Sequence, residues 1–211
     1  MLCLARATRR CHIDGNGQVE IRPTTGSLLL QILLSLSRLI DAVNERIGKA
    51  VSWLVLAAVA ISASNATVRY LFDTSSNAWL ELQWYLFSAV FLLCAGYTLL
   101  RNEHIRIDIV TGRLSPRARA WIDLLGGLFF LLPMALIITW LSIPVLQDSY
   151  VRDEISSNAG GLLRWPVKLL IPVGFALLSL QGLSEIVKRA AFIAGLIPDP
   201  STRKAHGGES E

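Results

Sequence analysis

Residues 79–110 read WLELQWYLFSAVFLLCAGYTLLRNEHIRIDIV. One acid, Glu81, sits between Trp79 and Trp84, and no charge follows from Tyr85 to Leu100. Arg101-Asn102-Glu103-His104 closes the run, and the alternation Ile105-Arg106-Ile107-Asp108-Ile109 comes next. Aromatic rings at one end and guanidinium groups at the other are what a helix crossing a bilayer requires. The rings lie at one headgroup layer, and the arginines stay in water beyond the other.

The rest of the chain repeats this design three times. Of its 211 residues, 53% are hydrophobic and 17% charged, with mean hydropathy +0.49. The charge stands in blocks between long apolar runs, which predicts one integral membrane domain. The fold class expected is an all-α integral membrane protein with four transmembrane helices and an N-terminal amphipathic interfacial helix. Crossings are predicted at about 50–69, 79–100, 121–146 and 166–188, within a membrane domain over 27–197. Residues 1–26 and 198–211 read as disordered tails.

The amphipathic segment carries Leu29, Leu33, Leu36, Ile40, Val43 and Ile47 at three- and four-residue spacing. Arg38, Asp41, Asn44, Glu45 and Arg46 fill its other sides. Its wholly apolar part is too short to span the hydrocarbon, so it is expected to lie in the interface plane, or else to extend the first crossing helix. Small residues enrich the first crossing from Ala57 to Ala66, and Asn65, near its end, reads as a satisfied interhelical or interfacial amide. Asn77 is a candidate N-cap, which puts Glu81 in the first turn of the second helix. Ser115-Pro116 starts the third helix, and Pro133 is expected to kink it.

The net charge of +4 does not indicate nucleic acid, because the basic residues flank apolar runs and build no soluble face. Seven Lys and Arg precede the first crossing, five follow the second and four follow the fourth; only Arg69, Arg152, Arg164 and Lys168 lie on the other side. The positive-inside rule therefore predicts cytoplasmic N- and C-termini. Cys3, Cys11 and Cys94 share no metal-like spacing and predict no disulfide. His12, His104 and His206 all lie outside the mid-membrane positions where a haem would need them. No glycine-rich phosphate loop is present, and no ionisable residue marks the centre of a crossing. These absences predict no enzyme and no cofactor, and point to an accessory subunit.

Trp79-x-Glu81, with Phe87 after it, leads into a helix that ends in His104-Ile105-Arg106-Ile107-Asp108. Glu154-Ile155-Ser156, Trp165-Pro166-x-Lys168, Ile171-Pro172-x-Gly174 and Leu180-Gln181 follow. From about residue 36 to 190 this pattern resembles the small integral-membrane (Q) subunit of the TRAP (tripartite ATP-independent periplasmic) transporters. The resemblance implies a non-catalytic subunit of the bacterial inner membrane that braces a large permease (M) subunit. It also implies a periplasmic solute-binding protein as partner, and uptake of an organic acid or similar solute driven by an ion gradient, usually sodium. Membrane lipids are expected around it. The candidate partner-interface residues are Trp79, Glu81, His104, Arg106, Asp108 and Glu154. A stand-alone four-helix exporter relying on Glu81, and a membrane anchor for a redox enzyme, are the alternatives.

Overall fold

The computed structural model describes residues 9–13, 19–23, 25–73, 76–101 and 115–197, with side chains from residue 31. Two short strands, β1 (Arg9–Ile13) and β2 (Val19–Pro23), pair antiparallel ahead of the helices. The helices are α1 (Thr25–Phe72), α2 (Asn77–Arg101), α3 (Pro116–Gly126), α4 (Leu132–Val151) and α5 (Trp165–Ile193). A π-helical segment, Gly127–Leu131, joins α3 to α4, so the two run on as one crossing. Four helical stretches are thus long and apolar enough to cross a membrane.

The first helix differs from the interfacial expectation. No break separates the amphipathic segment from the first crossing, and α1 runs unbroken for 48 residues. At ~1.5 Å per residue that is about 70 Å, roughly twice the hydrocarbon thickness. Its polar residues reach partners on α5 rather than headgroups, which removes the reason for the chain to turn into the interface.

Ser115 caps α3 as expected: its Oγ accepts from the Ala118 N–H at 3.3 Å, and Pro116 takes the first helical position. Pro133 cannot donate a backbone hydrogen bond, and its ring would press on the carbonyl four residues earlier. The helix absorbs this by widening: the Leu132 N–H reaches back five residues to the Gly127 carbonyl.

The bundle is organised around α5, which packs against α1, α2, α3 and α4. Helices α1 and α2 also pack on each other, while neither packs substantially against α4. The buried residues of α5 are mostly small or polar, among them Gly174, Ser179, Gly182, Ser184 and Ala191. In lipid, helices associate by close packing, and small residues permit it. A Cβ on Gly174 would lie 2.7 Å from the Leu92 carbonyl oxygen and 2.8 Å from the Leu92 Cβ. Neither atom can move without displacing α2. Gly174→Val is therefore expected to cost about 1–3 kcal/mol of stability, with Ser179→Ala as the tolerated control. Detergent-resistance melting of the two variants checks it; equal melting would refute the close contact.

On the α1–α2 face two residues interlock. The Tyr97 ring lies where a side chain on Gly48 would go, and the Asn44 side chain occupies the same place over Gly96.

Candidate functional site

Polar side chains gather at the two ends of the bundle. At one end the connection between α4 and α5 is folded onto the start of α2. Glu81 holds it: Oε1 accepts from the Ser156 hydroxyl and from Asn158 Nδ2 at 2.8 Å, and Oε2 accepts from the Leu162 N–H at 2.7 Å. The Asn77 amide donates to the Ala159 carbonyl at 3.2 Å, and the Tyr85 hydroxyl to the Leu163 carbonyl at 3.0 Å. Asn77, Glu81 and Tyr85 are four residues apart, so one face of α2 receives the whole loop. The expected N-cap is thus inside the helix, with its amide serving the loop instead.

The loop has its own order. Ile155 bridges Leu163, the Ser156 N–H donates to the Leu162 carbonyl at 3.0 Å, and Gly160 takes the left-handed turn at φ 71°. Glu154 ion-pairs with Lys168 in the first turn of α5 and, at 3.6 Å, with Arg164. The Lys168 ammonium hydrogen-bonded to it holds the Glu154 carboxyl below its ordinary value of 4.5, and Arg164 adds to the effect. A carboxyl depressed by folding contributes stability that is present above its unfolded pKa and lost as pH falls through the folded one. Loop closure is therefore expected to hold from neutral pH down to about 4.5 and to loosen below it. The titration is followed by Trp165 fluorescence, since the Trp165 ring stands edge-on to Tyr150 at 5.5 Å. Lys168→Met should move the midpoint upward; an unmoved midpoint would exclude the pair as its cause.

Glu81 and Glu154, two of the expected interface residues, thus meet in one loop, each engaged by its own chain. Trp79 is nearly half exposed and lies apart from the cavity of about 380 Å³ beside Glu81. His104, Arg106 and Asp108 lie outside the described residues.

At the other end lies a buried polar seam that the sequence reading did not anticipate. Ser37, Asp41 and Asn44 project from one face of α1; Gln181, Ser184 and Lys188 answer them from α5. The Ser37 and Ser184 hydroxyls share a hydrogen bond at 2.6 Å, and Ser184 also donates to Asp41 Oδ1 at 2.9 Å. Gln181 Nε2 donates to the same oxygen at 2.9 Å, while Asn44 Nδ2 donates to Gln181 Oε1 at 2.9 Å. Lys188 Nζ lies 2.7 Å from Asp41 Oδ2 and 2.9 Å from Glu185 Oε1. Gln181 is fully buried and Asn44 nearly so. The signal was present: positions i, i+4, i+7 on α1 meet i, i+3, i+7 on α5, two polar stripes of helical period. Treated as the solvated side of an interfacial helix, the α1 stripe had no reason to be matched. Across from this seam, Arg189 on α5 pairs with Asp123 on α3 at 3.3 Å.

Between α2 and α4, over α5, the bundle leaves an apolar groove of about 1000 Å³ lined by Phe129, Met134, Phe175 and Leu178. Among the described residues no group of His, Cys, Asp or Glu is placed to hold a metal ion. The polar groups at both ends tie helices together and form no reactive constellation.

Residues 58–192 match the family described as tripartite ATP-independent periplasmic transporters, DctQ component. The chain belongs to that family. As a DctQ component it is a non-catalytic part of a TRAP transporter, the small permease component, built as a multi-pass membrane protein. No curated protein and no solved structure matches it significantly. The DctQ match takes in Glu81, the loop it holds and the α5 half of the buried seam, whereas Ser37, Asp41 and Asn44 precede it.

Proposed function

We propose that this DctQ component braces a large multi-spanning permease (M) subunit in the bacterial inner membrane, with both termini cytoplasmic. The assembled transporter takes up an organic acid or similar solute, delivered by a periplasmic binding protein and driven by an ion gradient, of which sodium is the usual one. The observation that carries the reading is how the chain uses its polar groups. Asp41, Lys188, Glu81 and Glu154 each bind a residue of the same chain. They rigidify the bundle, while its outer faces expose Phe91, Phe130 and Trp140 to lipid or to another membrane protein. A rigid, apolar-faced bundle suits a scaffold. A carrier needs an ionisable group deep in the membrane and free to bind and release its solute, whereas these four charged groups are engaged within the chain.

In this reading Trp79 and the loop held by Glu81 and Glu154 face the periplasm, and the segment with His104, Arg106 and Asp108 faces the cytoplasm. These six residues remain the proposed partner contacts, Glu81 and Glu154 acting through the loop they shape. The exporter alternative required Glu81 as its working acid, and three hydrogen bonds to the loop speak against that role.

The test is reconstitution in liposomes. The chain alone is expected to move no solute. With the permease and the binding protein present, uptake should follow the imposed sodium gradient and should fall when the small subunit is omitted. Uptake by the chain alone would overturn the proposal.

A further inference from the structure

Near the junction of α1 and α2 a crevice of about 510 Å³ opens between the last turns of α1 and the first turns of α2. Ser62, Asn65, Arg69 and Asp73 line it from α1 and the residue after it, and Gln83 from α2. None of these five side chains hydrogen-bonds or ion-pairs with a described residue, unlike the polar groups of the loop and the seam. Asn65 therefore has no interhelical partner among the described residues, which leaves the interfacial alternative. Ser62, Asn65 and Gln83 are each half-buried within helices long and apolar enough to cross a membrane. An amide that faces hydrocarbon without a partner is costly, so the crevice calls for a polar occupant.

The charges in it have a definite order. Arg69 offers a guanidinium, which binds phosphate oxygens in pairs. Gln83, Asn65 and Ser62 add neutral donors toward the membrane interior. Asp73 follows the end of α1, where the unsatisfied carbonyls of the last turn also favour a cation. Its backbone is left-handed at φ 53°, which turns the chain sharply there. One cation site and one anion site at the mouth, with uncharged donors deeper in, match a group that carries a phosphate and an ammonium together.

We propose that this crevice binds the headgroup of a phosphatidylethanolamine in the leaflet that meets the α1–α2 junction. Arg69, Asn65 and Gln83 hold the phosphate, and Asp73 with the carbonyl end of α1 holds the ammonium. A primary ammonium donates hydrogen bonds to Asp73; a choline headgroup has no N–H to donate, and a glycerol headgroup has no cation. The site therefore selects ethanolamine over both.

The experiment is native mass spectrometry of the full-length protein, purified and delipidated in detergent, then titrated with phosphatidylethanolamine, phosphatidylcholine and phosphatidylglycerol of the same acyl chains. Phosphatidylethanolamine is expected to bind about fivefold more tightly than either, a discrimination typical of one well-placed charged contact. Asp73→Asn should erase the preference, Arg69→Gln should weaken all three lipids, and Arg69→Lys should restore part of the binding. Circular dichroism checks that each variant keeps its helices. Should Arg69→Gln fail to fold, Gln83→Ala must weaken phosphatidylethanolamine instead. Equal binding of the three lipids, or a preference unchanged in Asp73→Asn, overturns the proposal. So does displacement of the lipid by equimolar glycerophosphoethanolamine, which would make the site one for a soluble solute.

Discussion

Lys188→Met is expected to lower the unfolding free energy of the bundle by about 2–4 kcal/mol. The substitution keeps most of the side-chain volume and removes the charge. It leaves Asp41 and Glu185 facing one another's field with no cation between them. Their side chains are 24% and 16% exposed, against 13% for Lys188, so water compensates only in part. That partial access sets the figure toward the lower side of the range for fully buried pairs. Lys188→Arg should cost much less. Combining Lys188→Met with Asp41→Asn should recover part of the loss, because the stranded carboxylate is what destabilises. Unfolding in mixed micelles of rising dodecyl sulfate content, followed by far-ultraviolet circular dichroism, measures all four proteins. If Lys188→Met unfolds with the parent protein, the seam contributes nothing to the joining of α1 and α5.

Glu81→Ala is expected to release the loop between α4 and α5 while the helices stay intact. The Leu162 amide then loses its acceptor, and Ser156 and Asn158 lose theirs. Hydrogen exchange at Leu162 should speed up on the order of tenfold, the local opening being governed by that one carboxylate. Tryptic cleavage after Arg164 should rise in parallel. Glu81→Gln keeps one acceptor oxygen and should fall between the two. In the full transporter, Glu81→Gln is expected to give at most a partial defect in assembly, whereas an exporter using Glu81 as its working acid would stop. Unchanged protection of Leu162 in Glu81→Ala would remove Glu81 from the loop's support.

Much of the architecture was legible from pattern alone. Continuous apolar runs mark crossings because an unpaired backbone cannot enter hydrocarbon, and only helices of sufficient length satisfy it. Ser115-Pro116 could be read as a helix start because both residues act on the turn immediately beside them. Glu81 stood out in sequence as the one acid between Trp79 and Trp84, and Glu154 through the family pattern Glu154-Ile155-Ser156. Their partners were hidden, since Ser156, Asn158 and Leu162 lie far along the chain and sit opposite α2 only once α5 has been placed. Asn65 shows the reverse case. A polar residue in a small-residue helix is usually matched across the interface, yet the side facing α2 here is an open crevice.

The sequence by itself determined that the chain is a membrane bundle of four crossings, which family it resembles and that Ser115 caps a helix. These depend on hydropathy, spacing and neighbouring residues, all of which are local. Only the tertiary structure decided that α5 is the central helix, that α1 is one long helix instead of two segments, and that Asp41 and Asn44 are buried. An amphipathic stripe says that a helix has a polar side; whether headgroups, water or another helix meets that side is a matter of distance in space. Asp41 and Lys188 are 147 residues apart in the chain and 2.7 Å apart in the fold, and no local rule connects them.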